Sequence, residues 1–161
     1  MENQLWVNPD RNNLILQTRF GRTYGQRLAR FYRRTSNIIR FVQIFSGSAA
    51  FGVVLAQIDS TALIAWAGLI MAAASAIDLV WQPGDLASQC ARGAEQWGQL
   101  EAKAYSIKDD DLRKEIAMLQ SLVLPSWECM RAPVFNDLMK EINSKQREPV
   151  GFRGRFFAKL M

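Results

Sequence analysis

Four arginines near the amino-terminal end of the chain are the residues best suited to recognising a ligand. They fall within two helical turns: Arg27, Arg30, Arg33 and Arg34. Tyr24, Phe31 and Tyr32 are interleaved with them, and this combination suits a phosphate-bearing ligand, because guanidinium groups bind phosphate through paired donors and aromatic rings stack on bases. Two other interpretations stay open. The arginines rest on anionic lipid headgroups and fix membrane topology, or they pack against acidic side chains of later helices.

Residues that usually perform catalysis are scarce. The chain has 161 residues and no histidine, so the usual general base and metal ligand is missing. It also lacks a glycine-rich phosphate loop, a GxSxG motif and an HExxH motif. Asp109, Asp110 and Asp111 are consecutive, so one helix cannot turn all three toward a single metal. They are better interpreted as a helix amino terminus, where negative charge is favourable. We therefore expect a protein that is not an enzyme and needs no metal or cofactor.

Two long apolar runs dominate the pattern of hydropathy. Residues 41–58 and 61–77 carry no charge, only two residues separate them, and the second run extends to Trp81 if Asp78 is placed at its edge. A helix needs about 20 mainly apolar residues to cross a hydrocarbon core about 30 Å thick. The alternative is a buried helical hairpin in a soluble protein, but such helices normally keep a polar stripe. The pattern therefore predicts a two-span transmembrane hairpin.

The basic residues predict the orientation of this hairpin. Eight arginines precede the first run, whereas the tip of the hairpin carries neither lysine nor arginine. By the positive-inside rule the amino-terminal segment stays in the cytosol, and an even number of spans returns the carboxy-terminal part to the same side. We expect a multi-pass membrane protein with both termini in the cytosol. Its first span would act as an uncleaved targeting signal, because no signal peptide precedes it.

Each predicted span carries one narrow face of small or polar residues. In the first span this face consists of Gln43, Gly47, Ala50, Val54 and Gln57. In the second span it consists of Thr61, Ala65, Gly68, Ala72, Ser75 and Asp78. Small residues let helices approach closely in lipid, whereas polar residues inside a span usually face a bundle interior or a cavity.

We take the face of the first span as pore-lining, with Val54 as a hydrophobic constriction, and that of the second as helix packing or pore mouth. Two helices cannot enclose a pore, so a pore requires several copies of the chain. Asp78 has three possible roles: an ion pair with Arg40, an acidic ring at the pore mouth, or an ordinary interfacial carboxylate.

The remaining pattern is helical, and the sequence predicts an all-α fold with cytosolic helices before and after the hairpin. Four regions are expected: a basic amino-terminal segment 1–40, the hairpin 41–81, a helical region 82–146 and a basic, aromatic tail 147–161. The first segment is expected to be loose to about Leu14 and helical from about Thr23. Pro83-Gly84-Asp85 is expected to break the chain before a helix over 86–106. Shorter helices are expected from Asp109 or Asp110 to before Pro125, and over 134–144.

The later helices show apolar positions at steps of three and four, which predicts one buried face for each. In the helix after the hairpin these are Leu86, Cys90, Gly93, Ala94, Trp97, Leu100, Ala104 and Ile107. In the next they are Leu112, Ile116, Leu119, Leu122 and Val123, and in the last Phe135, Leu138, Met139 and Ile142.

The layout resembles the SLATT family (SMODS and SLOG-associating), two-transmembrane effectors of bacterial nucleotide-signalling defence systems. The resemblance covers residues 22–105. It consists of the helix Tyr24-Gly-Gln-Arg-Leu-Ala-Arg-Phe-Tyr-Arg-Arg, the hairpin, and a long helix with Trp97 and Tyr105. It implies a bacterial inner-membrane protein that forms pores in response to a nucleotide or oligonucleotide from a partner nucleotidyltransferase. No catalytic residue is carried over.

These observations together predict a homo-oligomeric pore, most simply a tetramer, that permeabilises or depolarises the inner membrane in antiphage defence under control of a nucleotide signal. The expected partners are further copies of the chain, membrane lipid and that signal. The arginine cluster would receive the anionic regulator. Two alternatives belong to other classes: a non-conducting membrane anchor or scaffold that recruits a soluble partner, and a phage holin-like lysis protein.

Overall fold

The computed structural model describes residues 9–46, 48, 61–121, 128–142, 147–152 and 154, and this part of the chain is helical with no strand. Five helices follow one another: α1 Pro9–Ser46, α2 Thr61–Trp81, α3 Pro83–Lys103, α4 Asp109–Ser121 and α5 Glu128–Glu141. The all-α prediction is confirmed. Most of the first apolar run, from 47 to 58, lies outside the described residues except for position 48, so the two-span hairpin stays a prediction.

Helix α1 is much longer at its amino-terminal end than the sequence predicted. It begins at Pro9, so the expectation of a loose segment was wrong for residues 9–14, whereas residues 1–8 lie outside the described ones. Proline suits the first helical position because it has no N–H to leave unpaired, and Asp10 in the first turn complements the helix dipole. Burial of Leu14 and Ile15 then fastens this end of the helix to a core. At its other end the helix continues past Phe41 to Ser46, as expected.

A single residue separates α2 from α3. Gln82 adopts a left-handed backbone with φ of 46° and its N–H donates to the Asp78 carbonyl oxygen at 3.1 Å. Pro83 then opens α3, so the helix begins there rather than at 86 and the break precedes the Pro83-Gly84-Asp85 triplet instead of occupying it. Proline had been expected to interrupt the helix, but at the first position it is compatible with one.

Contacts divide the chain into two compact units. The first combines Met1–Arg30 with Ser88–Met161. Its apolar core joins α1, α3 and α4 through Leu14, Ile15, Trp97, Leu100, Ala104, Leu112 and Ile116. On α3, Cys90, Gly93, Ala94, Trp97 and Leu100 are buried, as is Ala104 directly after the helix, so the face predicted from the periodicity is confirmed at these positions. On α4, Leu112 and Ile116 are buried, whereas 122 and 123 lie outside the described residues.

Helix α5 adds a second buried face to this first unit. Leu138 and Met139 are buried as predicted, together with Met130 and Val134, but Ile142 is exposed, contrary to expectation. The helix begins at Glu128 and contains Pro133, whereas a start at 134 had been expected. Ile142 follows the last residue of α5, and its N–H still donates to the Leu138 carbonyl oxygen at 3.2 Å, so the buried face ends at Met139 although the backbone hydrogen bonding continues.

Glycine on α1 lets α3 pack closely within the first unit. A Cβ built on Gly21 would lie 2.7 Å from Cε2 of the Trp97 indole. A Cβ on Gly25 would lie 3.0 Å from the Ala94 Cβ and 3.2 Å from the Ala94 backbone nitrogen. These positions are one helical turn apart, so two successive turns of α1 present bare backbone to α3.

The second unit, Phe31–Ala87, consists of the end of α1, helix α2 and the first turn of α3. Among the described residues its buried side chains are few: Phe31, Tyr32, Ser36, Ile39, Pro83 and Ala87. The ring of Tyr32 meets that of Trp81 edge to face, with centroids 5.9 Å apart. In this unit the buried surface belongs mostly to α1, and α2 contributes little to it.

Candidate membrane segment and arginine cluster

Eight large apolar side chains of α2 are exposed, and they are spread along most of the helix. They are Ile64, Trp66, Leu69, Ile70, Met71, Ile77, Leu79 and Val80. The helix has 21 residues, which at 1.5 Å per residue amounts to about 31 Å, close to the thickness of a hydrocarbon core. Among the described residues only one helical stretch is long and apolar enough to cross a membrane, and none of its apolar window is buried. These surfaces would be unfavourable in water and favourable in lipid.

The small-residue face predicted on α2 is open. Ala65, Gly68, Ala72 and Ser75 are exposed, and a Cβ built on Gly68 would meet nothing within 4 Å. The half-buried positions of α2 instead include Ala67, Ala74 and Trp81, joined by Asp78 from the predicted face. Thr61 belongs to the helix, but its side chain is outside the described ones. The predicted face therefore does not serve packing inside the described chain, apart from Asp78.

The face predicted to line a pore is described at one position only. Gln43 is half-buried on α1, whereas Gly47, Ala50, Val54 and Gln57 lie outside the described residues. The last turns of α1 share the character of α2, because Phe41, Ile44 and Phe45 are largely exposed. The rings of Phe41 and Phe45 stack with centroids 6.0 Å apart. An apolar surface thus extends along the described start of the first run.

Asp78 and Arg40 do not pair within the described chain. No ion pair joins them among those found between described residues, although both belong to the second unit. The Arg40 guanidinium instead lies near the start of α3, where its Nη2 would be 3.5 Å from a Cβ on Gly84. The ion-pair interpretation is therefore not what the structure contains, and the other two interpretations of Asp78 stay open.

The four arginines proposed as an anion site differ in their surroundings. Arg27 pairs with Asp137 of α5 at 2.6 Å, and its side chain is largely covered. Arg30, Arg33 and Arg34 are exposed on α1. Contacts assign Arg27 and Arg30 to the first unit and the other two to the second. For Arg27, the interpretation in which the arginines pack against acidic side chains of later helices is therefore the one that the structure supports.

Other arginines of α1 repeat this arrangement, although the predicted anion site did not include them. Glu101 of α3 accepts from Arg19 Nε at 3.0 Å and from Arg22 Nη1 at 2.9 Å. Arg11 binds the Asp109 carboxylate, and its Nη2 donates to the carbonyl oxygens of Ala104, Tyr105 and Ile107 at 3.0–3.2 Å. Arg11 thereby joins the turn after α3 to the start of α4. The sequence shows that α1 is basic and that later helices carry acidic residues, but this charge complementarity does not specify which arginine pairs with which carboxylate.

Among the described residues of the first unit, few side chains are reactive enough to take part in chemistry. Cys90 is fully buried, and burial raises the pKa of its thiol to about 11, so the thiolate is disfavoured. The described residues contain no group of three or more side chains placed to hold a metal ion.

Comparison of the chain with family models, curated proteins and solved structures yields no match. Its function must therefore be inferred from its own geometry.

Proposed function

We propose that the protein is a homo-oligomeric membrane pore whose helical first unit remains in the cytosol. The observation that carries this proposal is the exposure of α2, a helix of membrane-spanning length with eight large apolar side chains uncovered. Burying apolar surface is worth about 25 cal/mol per Å². Lipid satisfies this surface without requiring a protein partner, and the apolar end of α1 supplies the beginning of a second span.

Oligomerisation is supported by the open face of α2. Ala65, Gly68 and Ala72 leave shallow surface along one side of the helix, and nothing in the described chain fills it at Gly68. In lipid, small residues favour helix association because backbones can approach closely. A second copy of α2 fits this face, and cyclic symmetry closes such contacts into a ring, a tetramer being the simplest case. The Gln43–Gln57 face of the first span would then line the path.

Two neighbouring alanines provide a matched test of this arrangement. Ala72 lies on the open face, and Ala73 is also exposed, about 100° around the same helix. Ala72→Leu should block close helix approach, whereas Ala73→Leu should only enlarge a lipid-facing side chain. We expect Ala72→Leu to reduce cross-linked oligomer and dye release from proteoliposomes at least tenfold, and Ala73→Leu to leave both near wild type.

The other outcomes of this test distinguish the alternatives. A protein that inserts and oligomerises but releases no dye is an anchor or scaffold, and the pore proposal fails. Equal effects of the two leucines show that the small-residue face is not the interface.

Single cysteines at positions 43–57, in a background lacking Cys90 and Cys129, test which residues line the proposed pore. Reaction with a soluble thiol reagent should favour Gln43, Gly47, Ala50, Val54 and Gln57 over intervening positions.

Control of the pore by an anion at the arginine cluster is part of the proposal. Exchanging Arg27, Arg30, Arg33 and Arg34 for lysine together preserves the charge that sets topology but removes the planar paired donors. We expect insertion to survive and dye release from phosphatidylglycerol vesicles to change several-fold. Unaltered insertion and release would leave these arginines with a topological role, and Arg27 with its ion pair to Asp137.

A further inference from the structure

The first unit contains a cavity with aromatic walls, which neither the pore nor the arginine cluster uses. Its volume is about 460 Å³, within the range of about 300–1,000 Å³ usual for small-molecule sites. It lies among α1, α3, α4, α5 and the segment that contains Glu148. Four rings line it, contributed by Phe20, Tyr24, Trp97 and Phe135. The cavity is therefore shaped by the same helices that form the core of this unit.

The aromatic walls are held in place by their surroundings. Phe20 and Tyr24 are one turn apart on α1 and stack nearly parallel, with centroids 5.7 Å apart and planes at 19°. Trp97 is held against Gly21, where the absence of a Cβ leaves room for its indole. Stacked and confined rings lose little freedom when a flat molecule enters. Planar, unsaturated ligands gain more from such walls than flexible aliphatic ones do.

Polar groups on the rim complete the site. Gln17, Gln120, Arg131 and Glu148 contribute to the lining, and their side chains are largely exposed. Within the described chain neither the Arg131 guanidinium nor the Glu148 carboxylate takes part in an ion pair. Arg131 lies in the first turn of α5, where the helix dipole adds positive potential.

The position of Glu148 is fixed by its backbone. Asn136 Nδ2 donates to the Glu148 carbonyl oxygen at 2.8 Å, and the Glu148 N–H donates to Asn136 Oδ1 at 2.7 Å. This pair of hydrogen bonds fastens the segment to α5 and leaves the carboxylate free to accept from a ligand. Carboxylates and amides recognise the amino and ring-nitrogen edges of heteroaromatic rings, and guanidinium recognises phosphate.

We propose that this cavity binds a planar heteroaromatic molecule carrying one anionic group, the chemistry of a nucleoside monophosphate. The rings stack on its flat face, Glu148 and the two glutamines hydrogen-bond its edge, and Arg131 binds its anionic group. The site is independent of the proposed pore, because its lining belongs wholly to the first unit. Binding and dye release can therefore be measured separately, and failure of one leaves the other standing.

The test uses the full chain in nanodiscs and calorimetric titration. The probes are AMP and CMP, with adenosine lacking the anion, inorganic phosphate lacking the ring, and decanoate as an aliphatic anion. We expect saturable binding of AMP or CMP at one per chain, adenosine binding at least tenfold more weakly than AMP, and no detectable binding of phosphate or decanoate. Absence of binding by both nucleotides, or binding of decanoate as tight as that of AMP, would overturn the proposal.

Matched variants locate the binding. Phe20→Leu removes one stacked ring and Arg131→Gln removes the guanidinium, and each should weaken binding roughly tenfold, as expected for losing one stacking wall or one charge-assisted contact. Phe152→Leu and Arg92→Gln make the same exchanges at positions outside the cavity and should change nothing. Circular dichroism confirms that each variant folds. Binding that both cavity variants leave intact would place the ligand elsewhere and reject the site.

Discussion

The two units of this chain handle apolar side chains in opposite ways. In the first unit Leu100, Leu112 and Leu138 are almost completely buried, and arginines of α1 pair with acidic residues of α3, α4 and α5. In the second unit Leu79 and Val80 of α2 are more than three-quarters exposed. Both units are helical, so secondary structure does not explain the difference. The proposed membrane pore would account for the difference, because it places the first unit in water and α2 in lipid.

Leucine truncation should have the largest effect on this contrast. Leu112 is fully buried in the core of the first unit, whereas Leu79 is 76% exposed. Leu112→Ala should lower the free energy of unfolding by about 2–5 kcal/mol, because it removes buried methyl groups and leaves a cavity. Leu79→Ala should stay within about 0.5 kcal/mol, as substitutions away from a core usually do. Urea unfolding in detergent measures both, and equal losses would mean that α2 packs against protein.

Replacing an exposed apolar residue by arginine in each unit tests the same contrast through membrane insertion. Ile70 of α2 and Met118 of α4 are both exposed, at 57% and 72%. Arginine at the centre of a spanning helix costs about 2.5–3.5 kcal/mol, so Ile70→Arg should strongly deplete the protein from the membrane fraction after carbonate extraction. Met118→Arg should leave that fraction unchanged. If Ile70→Arg inserts normally, α2 does not lie at the centre of a bilayer.

Two glycines allow a finer comparison. A Cβ added to Gly25 would lie 3.2 Å from the Ala94 backbone, whereas one added to Gly68 would meet nothing within 4 Å. Gly25→Ala should destabilise the first unit by about 1–3 kcal/mol, because backbone cannot yield cheaply to an added methyl group. Gly68→Ala should not lower the thermal midpoint, since alanine is the better helix former and nothing opposes it. A neutral Gly25→Ala would show that α1 and α3 are packed less tightly than these distances imply.

Substitution of Cys90 should have the smallest effect on stability, and this effect should depend on pH. Burial raises the pKa of its thiol from the ordinary value of 9.0 to about 11. Between about pH 9 and about pH 11 the unfolded chain loses this proton and the folded chain keeps it, so stability falls as pH rises through that window. Cys90→Ala lacks this contribution. The stability of wild type relative to Cys90→Ala should therefore decline between those pH values in paired urea titrations, and a constant difference would contradict burial of the thiol.

Local periodicity was sufficient to predict much of this architecture. Apolar residues at steps of three and four identified the buried face of α3, including Cys90, Trp97 and Leu100, because a helix repeats every 3.6 residues whatever it packs against. The length and uniform apolarity of the second run predicted α2 in the same way. Helix ends were less predictable: α1 begins at Pro9 because burial of Leu14 and Ile15 stabilises a polar, turn-forming stretch as helix.

Tertiary structure alone decided which residues meet. The sequence allowed the arginines of α1 three roles, and contacts across long separations assigned several of them: Arg11 binds Asp109 98 residues away, and Arg22 binds Glu101 79 residues away. The aromatic cavity arises likewise, because Phe20, Trp97 and Phe135 belong to three different helices. Composition and spacing report only on residues that are close together in the sequence, such as those on one face of a helix. The choice among many possible charge and ring partners depends on how the helices pack, and that is a property of the folded unit.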